Sequence, residues 1–231
     1  PRSSTNLRPD DTYLITGGLG GLGLLAADWL VSNGARHLIL LARRSPDDDA
    51  QQRIEKLRSS GATITLSETD VSSATQVAAL LKQVEKSMPP LAGILHAAGV
   101  VDDGVMVQQT WPRFAAVLQP KVQGAWNLHV LTRHLALDFF VMYSSVASLF
   151  GLAGQTNYAA ANAFLDALAR YRRSQGLAAL SINWGNWSDV GMAHKLGLAQ
   201  RFEQQGMGGI APMQGMQVFA RLLNADEPNV G

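Results

Sequence analysis

The sequence predicts an α/β protein with a doubly wound parallel sheet flanked by helices on both faces, and three observations predict it. Short apolar runs alternate with longer segments of helical period along nearly the whole chain, the pattern of βαβ units. A glycine-rich loop, residues 16–23, follows the first apolar run and opens the first helical segment, where such sheets bind nucleotides. Residues 139–143 are continuously apolar, as a strand covered on both faces must be.

The elements follow in order. Residues 13–15 are the first strand, and residues 22–32 carry a helical period that ends at Asn33-Gly34, a suitable C-cap pair. Residues 37–41 form the second strand, and residues 51–60 a helix closed by Gly61. The third strand, residues 63–66, is rich in β-branched side chains. A helix over residues 74–87 stops before Pro89-Pro90, and the fourth strand, residues 91–96, runs into Ala97-Ala98-Gly99. Residues 111–135 contain a long helix whose start is expected after Pro120, since proline suits a first helical position. After the buried fifth strand come a helix over residues 159–174 and a sixth strand over residues 180–184. Residues 189–209 are rich in Gly and Met without a clear period and read as a mobile excursion, and residues 212–223 form a last helix. Residues 1–11 read as a linker and residues 12–231 as one catalytic domain. Both ends read as cut from a longer polypeptide, the last residues stopping where a further strand would begin.

Composition narrows the function classes. The chain has 231 residues, 47% apolar and 16% charged, enough for a sizeable core, and a formal net charge of +1. That charge gives no general attraction to nucleic acid or to an anionic membrane. The only basic cluster, Arg170, Arg172 and Arg173, is expected to be a solvated helix end. Cysteine is absent, which excludes disulfides and thiolate chemistry. The five histidines are scattered, and His129 and His134 lie five apart, poor spacing for shared metal ligation on a helix, so no metal is expected. No apolar run approaches the roughly 18–20 residues that span a bilayer. A soluble, cytoplasmic protein is expected.

The loop Thr16-Gly17-Gly18-Leu19-Gly20-Gly21-Leu22-Gly23 points to a dinucleotide. Glycines let the backbone approach a pyrophosphate, and the following helix presents N–H groups and its positive dipole end. The second strand ends in Arg43-Arg44, with no acid before Asp47. Two guanidiniums suit a ribose 2′-phosphate, which favours NADPH over NADH. Asp70-Val71 follows the third strand, where Asp70 either reaches the adenine amino group or caps the helix near Ser73. Ser145 ends the buried strand at the carboxyl edge of the sheet, the ligand edge in such folds. Tyr158 lies thirteen residues later and shares a helical face with Asn162, while Lys121 opens another helix expected nearby.

These residues resemble the short-chain dehydrogenase/reductase family, with its Rossmann-like sheet. Thr16-Gly17-x-x-x-Gly21-x-Gly23 matches that family's cofactor motif, and His96-Ala97-Ala98-Gly99 is similar to its Asn-Ala-Ala-Gly with one substitution. Ser145 and Tyr158 have its serine–tyrosine spacing. Most members carry Tyr-x-x-x-Lys, whereas this chain has Tyr158-Ala-Ala-Ala-Asn162 and a lysine at 121. That exchange, with Asn183-Trp184-Gly185-Asn186-Trp187, resembles the ketoreductase domains of modular polyketide synthases.

The resemblance implies Tyr158 as general acid and Ser145 as the donor that polarises the ketone. Lys121 would lower the tyrosine pKa and hold the nicotinamide ribose, with Asn162 positioning Lys121 or a proton-supplying water. Ala97, Ala98, Gly99, Lys121 and Tyr158 would contact the cofactor. The substrate would be a β-ketoacyl chain on the phosphopantetheine arm of an acyl carrier protein, and a structural subdomain and other synthase domains would be partners. Val101-Asp102-Asp103 stands where B-type domains carry Leu-Asp-Asp, associated with a D (3R) alcohol. Phe150 occupies the place of the A-type tryptophan, and Ala160 that of the proline found in epimerising domains. Residues 190–209 would form a lid, with Met192, Leu196, Leu198, Phe202 and Met207 lining an acyl groove or packing the lid down. Two alternatives stay open: a free-standing reductase of a small ketone or acyl-CoA, and a redox-inactive scaffolding domain.

Overall fold

In the computed structural model of the chain, residues 7–191 and 208–231 are described. They contain a seven-stranded sheet of β1 (Thr12–Thr16), β2 (His37–Ala42), β3 (Thr63–Glu68), β4 (Leu91–His96), β5 (Phe139–Ser145), β6 (Leu180–Trp184) and β7 (Asn229–Val230). The spatial order is β3-β2-β1-β4-β5-β6-β7, with every pairing parallel. The chain runs outward from β1 to β3 and then returns to β4 beside β1. That reversal opens a crevice at the carboxyl ends of β1 and β4, where open α/β sheets bind ligands.

Because strand side chains alternate, each strand feeds two cores. Tyr13, Ile15, Leu38, Leu40 and Val141 pack with α1 (Gly21–Ser32), α2 (Asp48–Ser59) and α8 (Pro212–Leu222). Leu14, Ile39, Leu41, Phe140 and Met142 pack on the other face with α3 (Ala74–Ser87), α5 (Gly124–Thr132) and α7 (Thr156–Ser174). This is the expected doubly wound, Rossmann-like arrangement.

Several boundaries differ from the sequence reading. The helix α2 starts at Asp48, ahead of residue 51, because the Asp47 side chain accepts the Ala50 N–H at 3.0 Å, and Asp48 and Asp49 complement the dipole. The helix expected to begin after Pro120 begins instead as α4 (Trp111–Leu118) and passes through a π-helical turn, Gln119–Gln123, into α5. Inside a regular α-helix a proline costs about 3 kcal/mol. Here the extra residue of the π turn accommodates Pro120, and the Gly124 N–H reaches back five residues to the Gln119 carbonyl. Lys121 therefore sits within a helix irregularity, a frequent location of functional residues.

Arg172 also departs from expectation, since it is 1% exposed rather than solvated. Its guanidinium lies 3.8 Å from the Phe140 ring centre and donates to the Ala178 carbonyl at 3.1 Å, closing the end of α7. Of the segment expected to be a linker, residues 7–11 pack on the domain: Leu7 touches the core, and Arg8 pairs with Asp11 and Asp138. The proposed lid residues Met192, Leu196, Leu198, Phe202 and Met207 lie outside the described residues. Among the described residues no helix is long and apolar enough to cross a membrane, and no group of three or more His, Cys, Asp or Glu is placed to hold a metal ion.

Candidate active site

A cleft of about 650 Å³ opens at the carboxyl ends of the strands, with the glycine loop as one wall. Gly17, Leu19, Gly20, Gly21, Leu22 and Gly23 line it. Gly17 has φ +66°, and a Cβ there would lie 2.8 Å from the Ala97 carbonyl oxygen. A Cβ on Gly23 would come within 2.3 Å of the Gly17 oxygen, so the loop and α1 meet closely only as glycine. The N-terminus of α1 has no side-chain cap and no acid in its first turn. Its free N–H groups and positive dipole end are suited to an anion.

Arg43 and Arg44 lie on the wall beyond β2, both exposed and without an ion-pair partner among the described residues. Asp70, Val71, Ala97, Ala98 and Gly99 complete the opposite side. Asp70 accepts the Ser72 N–H and hydroxyl at 2.9 and 2.7 Å, while Ser73 caps α3, so the capping alternative for Asp70 gives way to a local turn on the cleft wall. Four expected cofactor residues do not line the cleft: Thr16, Gly18, Lys121 and Tyr158. The Thr16 hydroxyl points inward to His96 Nδ1 at 2.7 Å, and the Gly18 N–H donates to the Leu41 carbonyl, so both shape the loop from behind. Leu41, Ala42, Thr69, Val100, Pro120 and Gly191 also line the cleft, although the motifs do not single them out as cofactor residues. All but Gly191 lie next to, or within two residues of, a residue that the sequence does single out.

The catalytic candidates come from three elements. Ser145 ends β5, Tyr158 sits in the first turn of α7, and Lys121 projects from the π turn. Lys121 is 3% exposed, donates through Nζ to the Tyr143 carbonyl at 2.7 Å and lies 5.4 Å from the Tyr158 ring centre. Its stem packs against Gly99, which joins this cluster to the cleft. Asn162 Nδ2 donates to the Tyr158 carbonyl one turn back at 2.7 Å, and its buried Oδ1 has no partner among the described residues.

The family model described as "KR domain" matches residues 11–189. The chain belongs to the ketoreductase (KR) domain family. It is 41% identical over 224 residues to the squalestatin tetraketide synthase of Phoma sp. (strain C2932), covering 96% of this chain and 9% of that one. It is 44% identical to the spectinabilin polyketide synthase system protein NorB of Streptomyces orinoci, with 94% and 10% covered. The chain thus spans about a tenth of the length of these synthases. Among solved structures, a ketoreductase domain from the bacillaene assembly line superposes with a TM-score of 0.91 at 36% identity, covering 96% of this chain and 55% of that one. An A1-type ketoreductase gives 0.92 at 36%, covering 98% and 48%.

Burial governs the electrostatics of this ketoreductase domain. Lys121 is pushed down to about 7 by desolvation, against the field of Asp166, which holds it up. Burial raises the Tyr158 phenol above its ordinary value, the Ser145 and Asn162 side chains pull it back, and the Asp103 charge opposes them. The expected lowering of Tyr158 by Lys121 is not among these effects, and the net shift is upward. The buried Asp166 accepts from the Ser148 and Ser181 hydroxyls and from Asn183, tying α7 to the short helix α6 (Ala147–Phe150) after β5 and to β6.

His96, the substitution in the Asn-Ala-Ala-Gly-like motif, stays behind the cleft. It pairs with Thr16 and lies 3.3 Å from the Lys121 carbonyl, and burial lowers its pKa to about 3. Its folded pKa lies below the unfolded value of 6.5, so the unfolded chain binds the extra proton first and stability falls as pH drops below about 6.5. His96→Asn is expected to flatten part of that acid loss. The check is thermal unfolding between pH 7 and 4; equal slopes in the two proteins would contradict it.

The Val101-Asp102-Asp103 segment is braced rather than free. Arg113 pairs with the Asp102 carboxylate, its Nε at 2.9 Å, and donates to the Asp103 carbonyl at 2.7 Å. Gln155 donates to the Asp103 carboxylate at 2.9 Å. Neither Arg113 nor Gln155 stood out in the sequence.

Proposed function

We propose that this domain is an NADPH-dependent ketoreductase that reduces the β-keto group of an acyl carrier protein-bound polyketide intermediate to a β-hydroxyacyl thioester, giving the D (3R) alcohol. The observation that carries this reading is Lys121 lying 5.4 Å from the Tyr158 ring centre, with the Ser145 side chain acting on the same phenol, beside a glycine-lined cleft flanked by Arg43 and Arg44. The cleft suits a dinucleotide phosphate: a glycine-lined backbone for a pyrophosphate, a helix N-terminus without a side-chain cap and two guanidiniums with no ion-pair partner among the described residues. When bound, the reduced nicotinamide supplies a hydride to the carbonyl carbon.

The chain's own residues do the rest. Ser145 donates a hydrogen bond to the ketone oxygen and polarises it. Tyr158 gives its phenolic proton to that oxygen as negative charge develops there. Lys121, when protonated, stabilises the phenolate left behind. The Asn162 Oδ1, unpartnered among the described residues, accepts from the group, ammonium or water, that returns a proton.

The Val101-Asp102-Asp103 segment supports the B-type, D-alcohol assignment. Turnover is expected to fall as pH rises through about 7, where Lys121 loses its proton. A kcat profile from pH 5.5 to 9 that rises across this range would contradict the role given to Lys121.

The substrate part of the reading is tested by comparing kcat/KM for a β-ketoacyl carrier-protein thioester, the matching N-acetylcysteamine thioester and a small free ketone. The carrier-bound chain is expected to be preferred by at least about tenfold. Equal or better use of the free ketone would favour a free-standing reductase. No NADPH binding at all would leave the scaffolding alternative.

A further inference from the structure

Asp166 lies about two turns beyond Tyr158 on α7. It is 5% exposed, and among the described residues no ion pair holds it. Its Oδ1 accepts the Ser181 hydroxyl at 2.6 Å and Asn229 Nδ2 at 3.2 Å. Its Oδ2 accepts the Ser148 hydroxyl at 2.7 Å and Asn183 Nδ2 at 2.8 Å. Each partner brings an O–H or N–H, so both oxygens act as acceptors, as in an ionised carboxylate. These hydrogen bonds offset the cost of burying the charge. The side chain does not line the cleft.

Two of its donors reach further, to the strand that carries Ser145. The Ser148 hydroxyl lies 2.9 Å from the Ser145 carbonyl oxygen. Asn183 Nδ2 lies 3.3 Å from the same oxygen and 3.2 Å from Ser144 Oγ. The Ser144 hydroxyl in turn donates to the Asn162 carbonyl at 3.2 Å. The end of β5 is therefore tied twice to the helix that presents Tyr158. One residue earlier, the Tyr143 carbonyl accepts from Lys121 Nζ at 2.7 Å, which brings Lys121 into the same frame.

The other groups around Lys121 are neutral. His96 faces it from β4, where burial lowers the imidazole to about 3 and leaves it uncharged at working pH. Tyr143 offers its carbonyl and turns its ring into the core on the α1 side. Tyr158 faces it from α7 as a phenol raised above its ordinary value. The Asp166 carboxylate, also on α7, favours the cationic form of Lys121 against the desolvation that opposes it. We propose that Asp166 is a positioning residue for proton transfer, a buried carboxylate that clamps the Ser145 end of β5 to α7 and serves as counter-charge to Lys121.

The effect on turnover rests on the ketoreductase reading, and the test keeps the two apart. Asp166→Asn keeps the size, removes the charge and sets an NH₂ group against donors. The readout is kcat from pH 5.5 to 9 with NADPH and a 3-oxopentanoyl N-acetylcysteamine thioester. Without the carboxylate Lys121 loses its proton more readily, so the falling limb is expected to move down by about 0.5 pH unit or more. Plateau kcat is expected to fall about tenfold or more as Ser145 shifts against Tyr158. A merely structural role would scale the whole profile and leave its midpoint in place. Asp166→Glu restores the charge and should restore the midpoint.

A second measurement needs no turnover. In carbon-13 lysine-labelled domain, the Lys121 Cε resonance, assigned by its loss in Lys121→Met, should titrate at lower pH in Asp166→Asn than in wild type. Ser148→Ala removes one bridge to the Ser145 carbonyl and leaves the charge, so it should lower kcat without moving the midpoint. It also tests the clamp if Asp166→Asn does not fold. A wild-type midpoint in Asp166→Asn, in kcat and in the Lys121 resonance, would overturn the inference, as would a wild-type kcat in Ser148→Ala. A wild-type domain that oxidises no NADPH with any ketone would overturn the ketoreductase reading, while the Lys121 titration would still decide the charge link to Asp166.

Discussion

Tyr158→Phe is expected to lower turnover by about 10²–10⁴-fold, the usual contribution of a positioned general acid, while NADPH still binds. The substitution removes one oxygen and its proton and leaves the ring, so the 5.4 Å contact with Lys121 and the turn that opens α7 remain. Without the phenol, Ser145 still donates a hydrogen bond to the ketone oxygen, but nothing in its place delivers a proton. The measurement is kcat with a β-ketoacyl thioester, alongside a fluorescence titration of NADPH. Residual turnover within about tenfold of wild type would remove Tyr158 from the proton-transfer step.

Replacing Arg43 and Arg44 together by alanine should raise the KM for NADPH much more than that for NADH. A hydrogen bond to a charged group is worth about 1.5–3 kcal/mol, so losing even one such contact corresponds to roughly 10–150-fold. Both side chains are exposed and free of carboxylate partners among the described residues, so removing them strands no buried charge. The fold should be unaffected, and NADH, which lacks the 2′-phosphate, provides the internal control. Equal increases for both cofactors would exclude these arginines from phosphate recognition.

What was legible from sequence was whatever has a short-range period. Strands β4 and β6 have the boundaries read from their apolar runs, and the glycine loop was recognisable because close approach demands glycine at Gly17 and Gly23. Lys121 was recognisable as a residue but not as a position. Pro120 reads as a helix start, and only packing reveals that a π turn carries the helix through it. Arg172 looked like surface because charge patterning does not show that Phe140 and a carbonyl beyond α7 will receive it.

The braces around Asp102 and Asp103 were illegible for the same reason. Asn157, Gln155 and Arg113 lie 55, 52 and 11 residues from the acids they hold, and no local pattern links them. Thr16 and Gly18 show the converse: the glycine-rich loop includes both, but the Thr16 hydroxyl bonds to His96 on β4 and the Gly18 N–H to Leu41 on β2 rather than facing the cleft.

The central claim is that this domain moves a hydride from NADPH to a β-keto carbon while Tyr158 supplies the proton. The direct measurement uses NADPH deuterated at the transferable C4 position, a β-ketoacyl thioester and mass analysis of the product. The account predicts one deuterium at C3 of a β-hydroxyacyl thioester for each NADPH oxidised, with a single alcohol configuration. NADPH oxidation without deuterium at C3, or an unchanged ketone with fully active cofactor present, would contradict it.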